Sequence, residues 1–123
     1  MTGRSSRVVL IVEHDALLKS LTADIMADAG FVALQASDAD EALAILESRS
    51  DIALLLTSVA MPGSMDGLGL VRTVYKRWPA IRIMVASSQV RLIGHNLPKD
   101  SRFFLKPYHA QSVISEIRSL IGP

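Results

Sequence analysis

Four polar groups in this chain each stand directly behind a largely apolar run. Glu13-His14-Asp15 follows Val8–Val12, and Thr57-Ser58 follows Ile52–Leu56. Ser87-Ser88 follows Ile81–Ala86, and Lys106 follows Phe103–Leu105. Their types define a limited chemistry. Ser58 supplies a hydroxyl, a weak nucleophile that needs a positioned base. The imidazole of His14 or the carboxylate of Glu13 would be that base. Lys106 would face an anion.

For these groups to act together, the runs before them must be neighbouring strands. Ile52–Leu56 shows no polar alternation, which suits a strand buried on both faces of a parallel sheet. Arg7–Val12 is β-branched and equally continuous. Phe31–Gln35, Ile81–Ala86 and Arg102–Leu105 give three more strands. Helical spacing fills the intervals: Leu17, Leu18, Leu21, Ile25 and Ala29, stopped by Gly30; then Ala42, Leu43, Ile45 and Leu46, capped by Ser37 or Asp38. Leu70, Val71, Val74, Tyr75 and Trp78 follow, ended by Pro79, and Val113, Ile114, Ile117, Leu120 and Ile121 come last. Gln89–Asp100, interrupted by Gly94 and Pro98, is expected to hold one short helix or a loop. Alternating strands and helices imply an α/β fold with right-handed crossovers and helices on both sheet faces. At this size the expected order is the flavodoxin-like 2-1-3-4-5, which gathers all four polar groups at the carboxyl ends of the strands.

With 123 residues, half of them apolar and a fifth charged, the chain reads as one globular domain over 7–123 behind a flexible leader over 1–6. A formal net charge of +1 gives no electrostatic case for nucleic acid or an anionic membrane. With no cysteine, disulfides and thiolate metal sites are excluded. No run approaches the ~20 apolar residues of a membrane span, and the start lacks a signal-peptide layout, so a cytoplasmic location is expected.

In this order the motifs resemble those of a bacterial response-regulator receiver (CheY-like) domain, over nearly the whole chain. Glu13 matches the first of the family's acidic pair. Met61-Pro62 with Met65-Asp66-Gly67 matches the segment after its phosphoaccepting aspartate, Ser87 its strand-end hydroxyl, and Lys106-Pro107 its lysine-proline. Two positions depart. The phosphoacceptor position is Ser58, and the second acid is His14. The resemblance implies two-component phosphorelay signalling with Mg²⁺ at the acids. It implies protein partners such as a histidine kinase, a phosphotransfer protein or an output domain, the last lying beyond this chain. It marks Phe103 as a rotamer switch, Pro107 as a cis-proline position, and Val90–Leu97, Arg102–Phe104 and Ala110–Arg118 as the partner face.

The departures imply a degenerate, non-enzymatic receiver that has lost aspartyl phosphorylation and has no required cofactor, its Mg²⁺ binding weakened to Glu13, joined by Asp15 only if the backbone turns it inward. Plainer readings accompany each residue. Ser58 is then a strand-end hydroxyl satisfied by Lys106 or backbone, and Glu13 the ion-pair partner of Lys106. His14 faces solvent or a carboxylate, Asp15 and Asp66 are helix N-caps, Ser87 is filler and Phe103 is core. His95 and His109 face solvent. The rival to a signalling module is a Ser58-centred phosphate-binding or phosphoryl-transfer activity.

Overall fold

The structure is a computed structural model describing residues 6–89 and 97–122. Five parallel strands form one sheet: β1 (Val8–Val12), β2 (Val32–Ala36), β3 (Ile52–Ser58), β4 (Arg82–Ser87) and β5 (Arg102–Leu105), in the order β2-β1-β3-β4-β5. Four helices are described, α1 (Ala16–Asp28), α2 (Ala39–Ser48), α3 (Gly67–Arg77) and α4 (Ala110–Ile121). The weak stretch expected within Gln89–Asp100 falls largely on 90–96, outside the described residues, as do residues 1–5 of the expected leader. Ser6, the last residue of that leader, donates its hydroxyl to the Asp51 carbonyl and accepts from the Val8 N–H at 3.2 Å.

The unbroken apolar runs follow from the two-sided sheet. Side chains alternate between faces along a strand, so one face of β1 needs Val8, Leu10 and Val12 and the other needs Val9 and Ile11. The first set packs with Leu55, Ile83 and Val85 under α2 and α3, through Ala42, Leu46, Leu70, Val71 and Val74. The second packs with Leu54, Leu56 and Met84 under α1 and α4, through Ala23, Met26, Val113, Ile114 and Ile117. Full burial of one such side chain stabilises by about 1.5–3 kcal/mol, more than any single polar contact described below except a buried ion pair.

Helix starts are set by three aspartates. Asp15, Asp38 and Asp66 accept from the N–H groups of Leu18, Glu41 and Gly69, each at 2.9 Å. Gly30 ends α1 with φ of 97°, a conformation that disfavours a Cβ.

The expected apolar stripe of α1 is corrected. Leu17 and Leu21 are 70% and 50% exposed, and the buried face is Thr22, Ala23 and Met26, with Ile25 and Ala29 half-buried. This helix carries apolar residues around most of its circumference, so spacing alone selects two faces. Thr22 is admitted to the interior because its hydroxyl lies 3.3 Å from the Tyr108 hydroxyl. Tyr75, also expected in an inward stripe, is half exposed. Strand β2 starts one residue later than expected, β3 runs on through Thr57 and Ser58, and β4 spans 82–87 rather than 81–86.

Gly67 fixes how α3 leaves the site. Its N–H donates to the Val59 carbonyl at 2.8 Å, and a Cβ built on it would stand 1.8 Å from the Ser58 carbonyl oxygen. Backbone cannot yield as a flexible side chain does. Gly67→Ala is therefore expected to cost about 1–3 kcal/mol in urea unfolding, and Gly69→Ala, whose Cβ would meet the movable Met65 side chain, distinctly less.

Candidate functional site

Strand register assembles the site. Val12 pairs with Thr57 and Ser58 with Ala86, so Glu13 and Ser58 emerge side by side from adjacent strands. Three backbone bonds carry this order past the last ladder pairs: Glu13 N–H to the Ala36 carbonyl at 3.0 Å, Val59 to Ala86 at 3.1 Å and Lys106 to Ser87 at 2.8 Å. Lys106 thus leaves β5 aimed across the strand ends, and its peptide with Pro107 is cis.

Glu13 is the centre. It is only 6% exposed, and three donors meet it. Lys106 Nζ lies 2.6 Å from Oε1, the Ser58 hydroxyl donates to the same Oε1, and the Asp15 N–H reaches Oε2 at 3.0 Å. Lys106 Nζ also donates to Ser58 Oγ at 2.7 Å, closing a triangle among the three side chains. Burial pushes the Glu13 carboxyl up. The hydrogen bonds from Lys106, Ser58 and Asp15 and the charge of Lys106 outweigh it, leaving Glu13 below the ordinary 4.5.

The other expected residues take definite places. Ser58 is 4% exposed and has both its neighbours inside the triangle. His14 has a 55% exposed side chain with Nδ1 3.9 Å from Glu13 Oε2, so the hydroxyl of Ser58 is directed at Glu13 and not at the imidazole. The Asp15 side chain faces the start of α1 as its cap rather than the cluster. Ser87 is buried, and its Oγ accepts from the Gln89 N–H at 3.0 Å. Phe103 packs, partly buried, against the core beneath α2 and α3. His109 is exposed at the N-terminus of α4, and His95 lies outside the described residues. Among the described residues no three His, Cys, Asp or Glu side chains gather as a metal site, and no described helix is long and apolar enough to cross a membrane. Sequence reasoning missed the Asp15 N–H as a donor to Glu13 and the close fit of Gly67. A glycine directly behind a capping aspartate was the available signal for the second.

A doubly wound parallel sheet with a lysine-carboxylate-hydroxyl cluster at its carboxyl edge defines the class of the molecule. The chain belongs to the response regulator receiver domain family, whose model matches residues 9–118. It is a receiver domain of two-component signalling. It is 28% identical over 114 residues to the transcriptional regulatory protein CpxR of Klebsiella pneumoniae, covering 92% of this chain and 48% of that protein. The chain spans about half the length of this relative and of its Escherichia coli counterpart. The receiver domain of the hybrid histidine kinase CckA superposes with a TM-score of 0.79 at 25% identity, covering 92% of this chain and 97% of that one. A receiver protein from Sinorhizobium medicae gives 0.86 at 22% identity, with 94% of each chain covered, a likeness of fold.

Two substitutions probe the triangle. Ser58→Ala leaves the ion pair but removes one donor, and is expected to cost about 1–2 kcal/mol. Lys106→Met is expected to cost about 3 kcal/mol at neutral pH, the low end for breaking a buried pair, because Glu13 keeps its other two donors. With its folded pKa depressed, Glu13 contributes stability that is present above 4.5 and lost as pH falls through the folded value. Without Lys106 its hydrogen bond and charge no longer lower the Glu13 carboxyl while Ser58 and the Asp15 N–H still do, so the gap between native and Lys106→Met proteins should narrow below pH 4.5 in unfolding titrations.

Proposed function

We propose that this receiver signals as a protein-interaction module that is not phosphorylated on aspartate, with Ser58 standing at the phosphoacceptor position. Its partner is of the kind receivers engage: a histidine kinase, a phosphotransfer protein or an output domain, met in the cytoplasm. The observation that carries the reading is the closed triangle. Where an acceptor carboxylate would leave Lys106 to be shared with an incoming phosphoryl group, Lys106 here already contacts both Glu13 and Ser58.

The same geometry bears on Mg²⁺. A hard cation requires several oxygen ligands, usually including carboxylates. Glu13 is the only carboxylate side chain in the triangle, its Oε1 takes two donors and its Oε2 a third, and the position of the second acid is His14. This donor set does not fit the ion as arranged.

One observation favours a second reading. The Ser58 hydroxyl donates to a carboxylate, the arrangement a general base would need to activate it, with an ammonium 2.7 Å away to steady the developing charge. Against it, Glu13 is held below the ordinary carboxylate range and is a correspondingly weak base.

The test is intact-mass analysis after incubation with Mg²⁺ and acetyl phosphate, for the native protein, Ser58→Asp and Ser58→Ala. The expected result is no phosphoryl adduct on the native chain. An adduct on Ser58→Asp alone would mark a pocket lacking only its nucleophile and would support the reading. An adduct on the native chain that disappears in Ser58→Ala would overturn it and make Ser58 the acceptor.

A further inference from the structure

Charge is divided along this chain. Residues 13–51 hold nine carboxylates against two Lys or Arg, whereas residues 67–106 hold eight Lys or Arg against one carboxylate, Asp100. The fold turns this into geography. The acidic half builds α1, β2 and α2 at one side of the sheet, and the basic half builds α3, β4 and β5 at the other. A net charge of +1 conceals the separation.

Part of the basic half is neutralised: Arg77 pairs with Glu47 at 3.0 Å, Arg102 with Glu116 at 2.6 Å and Lys106 with Glu13. Among the described residues Arg72, Lys76, Arg82 and Lys99 have no ion-pair partner, and all four are exposed. Arg82 and Lys99 stand at the amino ends of β4 and β5, the end of the sheet opposite Ser58, with Lys76 near the end of α3 and Arg72 about one turn before it. There a cavity of about 170 Å³ opens between the end of α3 and the turn before β5, walled by Tyr75, Arg82, Lys99, Asp100 and Ser101 among others. Ser101 Oγ is buried without a hydrogen-bond partner, a cost a native protein rarely leaves unmet. The turn that holds Lys99 and Ser101 is closed by the Ser101 N–H on the Pro98 carbonyl at 3.2 Å, with Asp100 at a φ of 70°. That left-handed position is uncommon for a residue with a side chain, and such positions concentrate at functional sites. Beside the cavity, sharing Tyr75 and Pro98, runs an open groove of about 540 Å³ between the stems of Arg72 and Lys76 and Leu97.

Size and shape select the ligand. The cavity is below the ~300–1,000 Å³ of sites that enclose a whole small molecule, so it takes one functional group. Its unpaired cations outnumber its one carboxylate, so that group is an anion. The groove is mainly apolar and open along one side, which suits a chain lying across it better than a free ligand that must be surrounded. We propose that this end of the sheet is a second binding surface, taking an acidic segment of a partner protein that seats a carboxylate between Arg82 and Lys99 and an adjacent apolar side chain against Leu97. The surface is independent of the Ser58 triangle and of whether Ser58 accepts phosphate.

The test follows backbone amide NMR signals of the ¹⁵N-labelled chain. Three probes are titrated: an acetylated peptide of alternating Glu and Leu, its counterpart with Gln for Glu, and inorganic phosphate. The Glu-Leu peptide is expected to shift the amides of Tyr75, Arg82, Lys99 and Ser101 saturably, and the Gln peptide to leave them in place. The doubly charge-reversed variant Arg82→Glu, Lys99→Glu is expected to bind about tenfold more weakly, with unchanged circular dichroism because both side chains are exposed and unpaired. Lys99→Glu alone serves if the double variant loses its fold. Absence of saturable shifts at those amides, or unchanged affinity after charge reversal, overturns the proposal. So does saturation by phosphate without a response to the peptide, which would mark a pocket for small anions.

Discussion

Burial of the central strands on both faces is the constraint from which the remainder of this structure follows. Strands β1, β3 and β4 are apolar along their buried lengths, so apart from the exposed Arg82 that opens β4 they carry no polar side chain until their carboxyl ends. Helices must cover both faces, so successive strands run parallel and all end at the same edge. Polar groups are thereby expelled to one line. Chemistry at that line is a consequence of packing: the fold brings Glu13, Ser58, Ser87 and Lys106 together from distant parts of the chain because the interior admits them nowhere else.

What occupies that line differs in kind from an open acidic pocket. One carboxylate takes three donors, and the ammonium that reaches it also holds the hydroxyl. Each group satisfies another, and Glu13 tolerates burial because its donors outweigh the cost of desolvation. A cluster of this type rigidifies the ends of β1, β3 and β5 relative to one another. Its electrostatic demands are met from within the chain.

The fold was largely legible in the sequence, because unbroken apolar runs and glycine or aspartate punctuation are local signals. Gly30, Asp38 and Asp66 marked helix ends from neighbours in the chain alone. The contact of Glu13 with Lys106 was legible for a different reason: both follow strands, so strand order alone makes them neighbours. What escaped was set by tertiary geometry. The inward face of α1 depends on which side meets the sheet, and Leu17 and Leu21 are as apolar as the residues it buries. Thr22 was unreadable as interior because its justification, Tyr108, lies 86 residues away. The Asp15 N–H on Glu13 escaped because backbone donors leave no trace in residue type.

The two borders of the sheet are unequal. Strand β5 is four residues long, and one residue beyond its end stands Pro107, which has no N–H to continue a ladder past Lys106. Strand β2 at the other border has five residues, none of them charged, and its Val32 is half exposed. Exposed strand edges template aggregation unless charge, proline or brevity blunts them. By that measure one border is guarded and the other open. Self-association of partly unfolded chains would therefore nucleate along β2, and a single lysine at Val32 is the economical way to give that border the protection its opposite already has.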